Sequence, residues 1–454
     1  MGLGIGGTGA ARYFARLGAR VTVTDKKSTK ELKPFLRKLT GLPIRYVLGK
    51  HRAHDFIDTD LVVYSMGLRA KYKHLEDSPY LHAAIKHHVP LDTDIGIFFE
   101  SVPREQIIGV TGTRGKSTTA ALIAAMLKTK YPKTVLAGNI RTSVLEALPK
   151  IQKENFLASP KLQRSAGRLR SKNNFSPVVL ELSSWQLEGL AQYKKSPHIS
   201  VITSIFQDHL NTYKNIHEYL EAKKNIFRYQ KKGDYAVLND SLKQHPEFKK
   251  PCGQAKRLLV SWRTTPHWAA STLMLPGMHN RSNLAAALAV AQLYRIPKPN
   301  ILHALKTFRG LEGRLEYVGV KRGVKFYNDT TATAPDAVIV GLRSFARTDR
   351  VILITGGVDK NLDYRPLADF LAACPPKAMV LLPGTATDKL HKHLTANSKQ
   401  QIATSMHEAV RCAWHIAKKG DTILLSPGAA SFNLFKNEFD RGEQFVHEMQ
   451  KLKT

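Results

Sequence analysis

Ile107-Ile108-Gly109-Val110-Thr111-Gly112-Thr113-Arg114-Gly115-Lys116-Ser117-Thr118 is the stretch whose reading decides the fold. Its apolar start reads as a buried strand, and the Ala-rich run from Thr118 to Leu127 reads as a helix. The turn between them contains Gly112 and Gly115, so backbone N–H groups can face a phosphate chain at the helix N-terminus. Lys116 adds a point charge, and the Ser117 hydroxyl suits a phosphate-bound Mg²⁺. The spacing is not that of the common P-loop: Gly109 lies one residue too far from Gly115, and Gly112 two too near. Strand, phosphate loop and helix in this order predict an α/β protein that handles ATP or GTP.

Upstream, Gly2-Leu3-Gly4-Ile5-Gly6-Gly7 precedes a helical stretch from Ala10 to Leu17, and Arg20 to Thr24 alternates as a strand ending on Asp25. A Gly-rich turn, a helix and a strand closed by an acid make a dinucleotide-type fingerprint. Met1 leaves no room for the strand that should come before those glycines. A further strand, Leu61 to Ser65, leads to a second candidate loop at Met66-Gly67.

Downstream of the phosphate loop, strands are expected at Val135–Asn139, Pro177–Glu181 and Ile199–Ser204, alternating with helices. The basic stretch from Lys150 to Asn174 lacks periodicity and reads as an exposed insertion. Further strands at Val324–Tyr327, Val351–Ile354, Ala378–Leu382 and Thr422–Leu425 form a third α/β region, with a helix over Ser405–Lys419. The expected architecture is three α/β domains: a Rossmann-like domain over 1–94, a central P-loop-type ATPase domain with a mainly parallel sheet over 95–309, and a Rossmann-like domain over 310–454.

A chain of 454 residues is too long for one core. Its 43% hydrophobic and 23% charged content is ordinary for soluble globular protein. No run of 18 apolar residues predicts a membrane span. Cys252, Cys374 and Cys412 are scattered, which speaks against a disulfide framework or zinc site and for a reducing cytoplasm. The 69 Lys plus Arg against 36 Asp plus Glu give a net charge of +33. That balance suits polyanions, but the cations are spread along the chain and no nucleic-acid module accompanies them, so no specific nucleic acid is expected.

Two strand ends carry chemistry. Glu181-Leu182-Ser183-Ser184 puts a carboxylate and two hydroxyls after one strand, and Gln207-Asp208-His209 puts an acid and an imidazole after the next. Sharing a sheet edge with Ser117, they read as a Mg²⁺–phosphate cluster.

With these motifs the chain resembles the Mur ligases, ATP-dependent amide-forming enzymes of peptidoglycan precursor synthesis. The resemblance covers nearly the whole chain. It rests on TGTRGKST at 111–118, GNI at 138–140, ELSSWQLE at 181–188, QDHL at 207–210 and EAKKNIF at 221–227. It continues through GMHNRSNLAAA at 277–287, GLEGRLEYV at 310–318, NDTTATAPDA at 328–337, GGVDKNLDY at 356–364 and SPGAASFNLFKNEFDRG at 426–442.

The resemblance implies that ATP phosphorylates the carboxylate of UDP-N-acetylmuramoyl-L-alanine and that D-glutamate's amine displaces phosphate from the acyl phosphate. It implies catalytic roles for Lys116, His209 and Lys223. Mg²⁺ would sit near Ser117, Glu181 and His209, with Lys223 joining if carbamylated by CO₂. ATP would be held by Gly112, Thr113, Arg114, Gly115, Lys116, Ser117 and Thr118, with Asn280 and Asn283 along the adenine and Arg314 and Asp329 at phosphates and ribose. The asparagines also suit helix capping before the alanines at 285–287. The UDP-linked substrate would meet Ile5, Gly6, Asp25, Lys26, Lys27, Ser65, Gly67, Asn139 and Ser183. D-glutamate would meet Thr333, Lys360 and Ser431, with Phe432 or Phe439 on its aliphatic stem.

This sequence departs from the family where Thr331 stands for a frequent lysine, Gln207 for an acid or Asn, and Arg141 for a small residue. A cytoplasmic monomer that closes its domains around ATP is expected. Alternatives are a folylpolyglutamate synthase-like ligase, a basic nucleic-acid-binding NTPase, and a dehydrogenase suggested by the glycine fingerprint alone.

Overall fold

The computed structural model describes residues 1–68, 75–140, 143–152, 176–205, 213–248, 253–394, 399–431 and 434–452. The basic stretch at 150–174 therefore falls almost wholly outside the described residues, as does Arg141. Two compact units result: Met1–Thr265 with Ser282–Ala304, and Pro266–Arg281 with Leu305–Thr454. No helix among the described residues is long and apolar enough to cross a membrane.

In the first unit, β1 (Val21–Asp25) pairs in parallel with β2 (Ile44–Leu48), and β3 (Val62–Val63) with β4 (Leu91–Asp92). Residues 1–3 run between these pairs. The Gly2 amide donates to Thr24 O (2.9 Å), the Met1 nitrogen to Val63 O (2.8 Å), and Ser65 N to Met1 O (3.0 Å). These residues, ahead of Gly4, Gly6 and Gly7, form no strand of their own and bond to both pairs. The following helix, Ile5–Arg16, starts earlier than its apolar stretch predicts, which puts Gly6 and Gly7 in its first turn and Gly4 at its N-cap. Gly7 is required there, because a Cβ would run into the Gly2 carbonyl.

The larger sheet of this unit comprises β5 (Ile107–Thr111), β6 (Val135–Gly138), β7 (Val178–Glu181), β8 (Ile199–Ile202), β9 (Tyr235–Asn239) and β10 (Lys256–Val260). Their order is β10-β9-β8-β5-β7-β6, with every pairing parallel. β5, β7 and β8 are buried at every residue, which explains their continuous apolar runs. The chain passes from β5 to β6 on one side and later from β7 to β8 on the other. The loop after β5 therefore opens at a topological switch point.

The second unit holds β11 (Glu316–Lys321), β12 (Val324–Asn328), β13 (Val351–Gly356), β14 (Ala378–Leu382), β15 (Gln400–Ile402) and β16 (Thr422–Leu425), ordered β11-β12-β16-β13-β14-β15. All pairings are parallel except the β11–β12 hairpin. Separate apolar clusters cover the two faces, one around Leu353 and Leu367, the other around Ile354 and Phe445. Arg441, from the helix Glu438–Lys451, is fully buried. Its guanidinium donates to Thr330 O (2.9 Å), Thr330 Oγ1 (3.0 Å) and Ala429 O (3.1 Å), and burial lowers its pKa to about 10. It pins together the loops that leave β12 and β16.

Candidate active site

The phosphate loop joins β5 to the helix Lys116–Lys128. Gly115 sits at the helix N-cap with φ +83°, and no side chain caps that end. A Cβ at Gly115 would enter the Asn283 carboxamide, and one at Gly112 (φ +149°) would enter the Thr203 hydroxyl. These two glycines are fixed by close approach as well as by backbone conformation. The loop is braced from β8's end: Thr113 N donates to Ser204 O (2.6 Å), and Thr203 Oγ1 donates to Arg114 O (2.6 Å). Lys116 Nζ donates to Thr113 O at 2.9 Å, folded over its own loop.

Two buried ionisable side chains stand beside it. Lys223, 2% exposed, donates from Nζ to Gly112 O (2.9 Å) and lies 4.5 Å from the Tyr219 ring centroid. Glu181, 2% exposed, ends β7. Its Oε1 accepts from Asn139 Nδ2 (3.2 Å), while its buried Oε2 has no hydrogen-bond partner among the described residues. A buried carboxylate oxygen left open fits a divalent cation, and Ser117 is buried at the start of the neighbouring helix. His209 lies outside the described residues. Among those described, no three His, Cys, Asp or Glu side chains gather as a metal-holding group.

A cavity of about 130 Å³ in the same unit is lined by Gly6, Ser65, Asn139 and Ser183, four of the residues expected to meet a UDP-linked substrate. Asp25, at the end of β1, is not among the residues lining it; its carboxylate accepts from Leu3 N (2.6 Å) and Lys27 N (2.8 Å). Lys26 lies 5.7 Å from the Tyr80 ring centroid, and Gly67 N donates to Ser65 Oγ at 3.4 Å. Ile5 is 44% exposed. Asp94 and Trp185 line the cavity too. Nothing in the sequence marks Asp94, because Thr93-Asp94-Ile95-Gly96 reads as an ordinary helix start at a domain boundary.

Asn283 Oδ1 accepts from Thr119 Oγ1 (3.2 Å), and Asn280 Nδ2 donates to Pro276 O (2.7 Å). The helix already begins at Met278, so these side chains do not cap the alanine run that follows.

In the second unit, the carboxyl ends of β12, β16 and β13 are neighbours. Val358 and Ala430 exchange backbone hydrogen bonds (3.0 and 2.9 Å), which brings the loops carrying exposed Lys360 and buried Ser431 side by side. Thr333 is half-buried before the helix Pro335–Arg343, and Phe439 is half-buried on the Glu438–Lys451 helix. Phe432 lies outside the described residues. Thr331, where the family often has lysine, donates from Oγ1 to Gly313 O (2.7 Å).

Asp329 accepts from Leu315 N and Ser426 Oγ, both at 3.0 Å, with the Arg314 charge nearby. Burial outweighs these and raises its pKa to about 7. A folded-state pKa above the unfolded value means stability that is complete below about pH 4 and lost as pH rises through 7. Asp329→Asn is expected to remove that loss. Urea midpoints followed by circular dichroism at pH 5 and pH 8 check it; an equal fall in both proteins would contradict the assignment.

Residues 1–90, 110–262 and 313–428 match, in order, the family models described as Mur ligase MurD-like, N-terminal domain; Mur ligase middle domain; and Mur ligase, glutamate ligase domain. A UDP-N-acetylmuramoylalanine--D-glutamate ligase of Roseiflexus sp. (strain RS-1) is 40% identical, covering 98% of this chain and 96% of its own. A protein of the same name from Borreliella afzelii (strain PKo) is 34% identical over 98% of this chain and 95% of its own. The crystal structure of UDP-N-acetylmuramate-alanine ligase MurC from Thermotoga maritima shares the fold, with a TM-score of 0.55 at 21% identity over 99% of this chain and 98% of that one. Three family domains in sequence and relatives alike over almost their full length establish that this chain belongs to the Mur ligase family.

Proposed function

We propose that this chain is an ATP-dependent ligase that joins D-glutamate to UDP-N-acetylmuramoyl-L-alanine in peptidoglycan precursor synthesis, in the cytoplasm. The observation that carries this reading is the Asn139–Glu181 hydrogen bond. Asn139 lines the cavity, and Glu181 holds an open carboxylate oxygen at the end of β7, the strand beside β5. An acceptor carboxylate presented near Asn139 is thereby one side chain away from the metal-competent group.

The chemistry starts with an acceptor carboxylate oxygen attacking the γ-phosphorus of ATP, with ADP leaving. The D-glutamate amine then attacks the acyl carbonyl, loses a proton, and inorganic phosphate departs with the electron pair of the broken C–O bond. A free carboxylate is a poor acyl donor, so the phosphate supplies the leaving group. The protein's share is positioning and charge neutralisation. Loop amides 112–118 and Lys116 cradle the triphosphate. Asn283, beside Gly115, and Asn280 serve the adenine, while Arg314 and Asp329 serve phosphates and ribose. Ser117, Glu181 and His209 would hold Mg²⁺, which when bound neutralises phosphate charge. Lys223, buried against Gly112 O, would join them as a carbamate. Gly6, Asp25, Lys26, Lys27, Ser65 and Ser183 hold the UDP-muramoyl part, and Lys360, Ser431 and Thr333 hold D-glutamate's carboxylates.

Phosphate release from ATP, measured with UDP-N-acetylmuramoyl-L-alanine, is expected to require D-glutamate. Stimulation by L-alanine or a diamino acid instead would overturn the amino-acid assignment. Tight folate binding with no response to the UDP-linked acceptor would overturn the acceptor assignment.

A further inference from the structure

Three helices begin at the cavity described above. Gly6 and Gly7 belong to the first turn of Ile5–Arg16, Asp94 opens Asp94–Ser101, and Ser183 caps Ser184–Gln192. The third is closed by its own capping box with Gln186, and Thr93 Oγ1 accepts from Gly96 N (3.0 Å) at the second. The first has no side-chain cap, which leaves it as the anion-binding end.

Among the described residues, Asp94 is the only carboxylate lining the cavity. It is 8% exposed, and its Oδ1 accepts from Ile95 N at 2.9 Å. Its Oδ2 would stand 2.5 Å from a Cβ placed on Gly6. The carboxylate thus packs on the glycine at the uncapped helix start, where a ligand phosphate would be drawn. Two anions cannot share that position at low cost in a buried site.

Resting on the acceptor reading above, we infer that Asp94 couples entry of the UDP-linked acceptor to uptake of one proton. Protonation turns Asp94 from a competing anion into a hydrogen-bond donor for the diphosphate. The resting group is already poised for this: burial, aided by the charge of Asp92, raises its pKa to about 6. Several other charges near its helix have partners of their own. Arg12 pairs with Glu146 (2.7 Å), Lys195 with Glu100 (2.5 Å), and Asp92 accepts from the Tyr193 hydroxyl. Glu188, Lys150 and Arg16 complete the set on the neighbouring helices.

The ligand suits a clean test, because a diphosphate esterified at both ends has no proton to exchange near neutral pH. Calorimetric titration of wild type with UDP-N-acetylmuramoyl-L-alanine, in buffers of different ionisation enthalpy at pH 7.5, is expected to show uptake of close to one proton. Its Kd should rise up to about tenfold per pH unit from pH 6.5 to 8.5. Asp94→Asn should bind without proton uptake and with a flat Kd over that range, and Asp94→Ala should share the flat profile. Acceptor binding by wild type without proton uptake, or unchanged uptake in Asp94→Asn, overturns this inference alone. No acceptor binding at any pH overturns the acceptor reading and this inference with it.

Discussion

Lys116→Met protein is expected to fold and to bind the UDP-linked acceptor with unchanged affinity while losing about 10²- to 10³-fold in ATP-dependent amide formation. Lys116 Nζ rests on Thr113 O, inside the loop that would surround the phosphates, and the side chain is only half-buried. Methionine keeps the aliphatic stem and removes the charge, so the change acts on chemistry rather than packing. In phosphoryl transfer the protein does little covalent work, and each preorganised cation counts for the larger part of its effect at the transition state. The loss should therefore appear in kcat, with KM for the acceptor unaltered. Steady-state phosphate release and acceptor titration together check this. A variant retaining a tenth or more of wild-type kcat would show that Lys116 does not touch the transferred phosphate.

What the sequence made legible was local. The loop at 111–118 could be read because strand, glycines, Lys-Ser and helix are contiguous, and the same holds for the buried runs of β7, β8, β13, β14 and β16. β10 and β15 escaped notice because edge strands carry mixed polarity: Lys256, Leu259, Gln401 and Ile402 are exposed, which hides any apolar run. The cavity was legible only through family resemblance. Gly6, Ser65, Asn139 and Ser183 are far apart in the chain and come from separate elements, the first turn of the helix Ile5–Arg16 and the segments that follow β3, β6 and β7. Asp94 was missed altogether, since its local sequence is fully explained by helix initiation and its role depends on packing against Gly6.

Glu181→Gln is expected to move stability and activity in opposite directions. In the metal-free protein the Glu181 carboxylate is 2% exposed, has one hydrogen bond from Asn139, and leaves Oε2 without a partner among the described residues. Burying a charge on those terms costs free energy that a neutral amide of the same shape avoids. The glutamine side-chain oxygen can still accept from Asn139, so we expect metal-free Glu181→Gln protein to gain about 1 kcal/mol. In a chain of two large units that corresponds to a rise of roughly 2–4 °C in the transition of the first unit. A ligand that binds the folded state alone stabilises it by mass action, so Mg²⁺ with ATP should raise the melting temperature of wild type. That increment should be largely absent from the variant, whose phosphate release should fall by 10²-fold or more. Thermal melts with and without Mg²⁺–ATP, beside phosphate-release rates, give all three readouts. A variant less stable than wild type without metal, yet equally responsive to Mg²⁺–ATP, would mean that the open oxygen of Glu181 is not held in reserve for a cation.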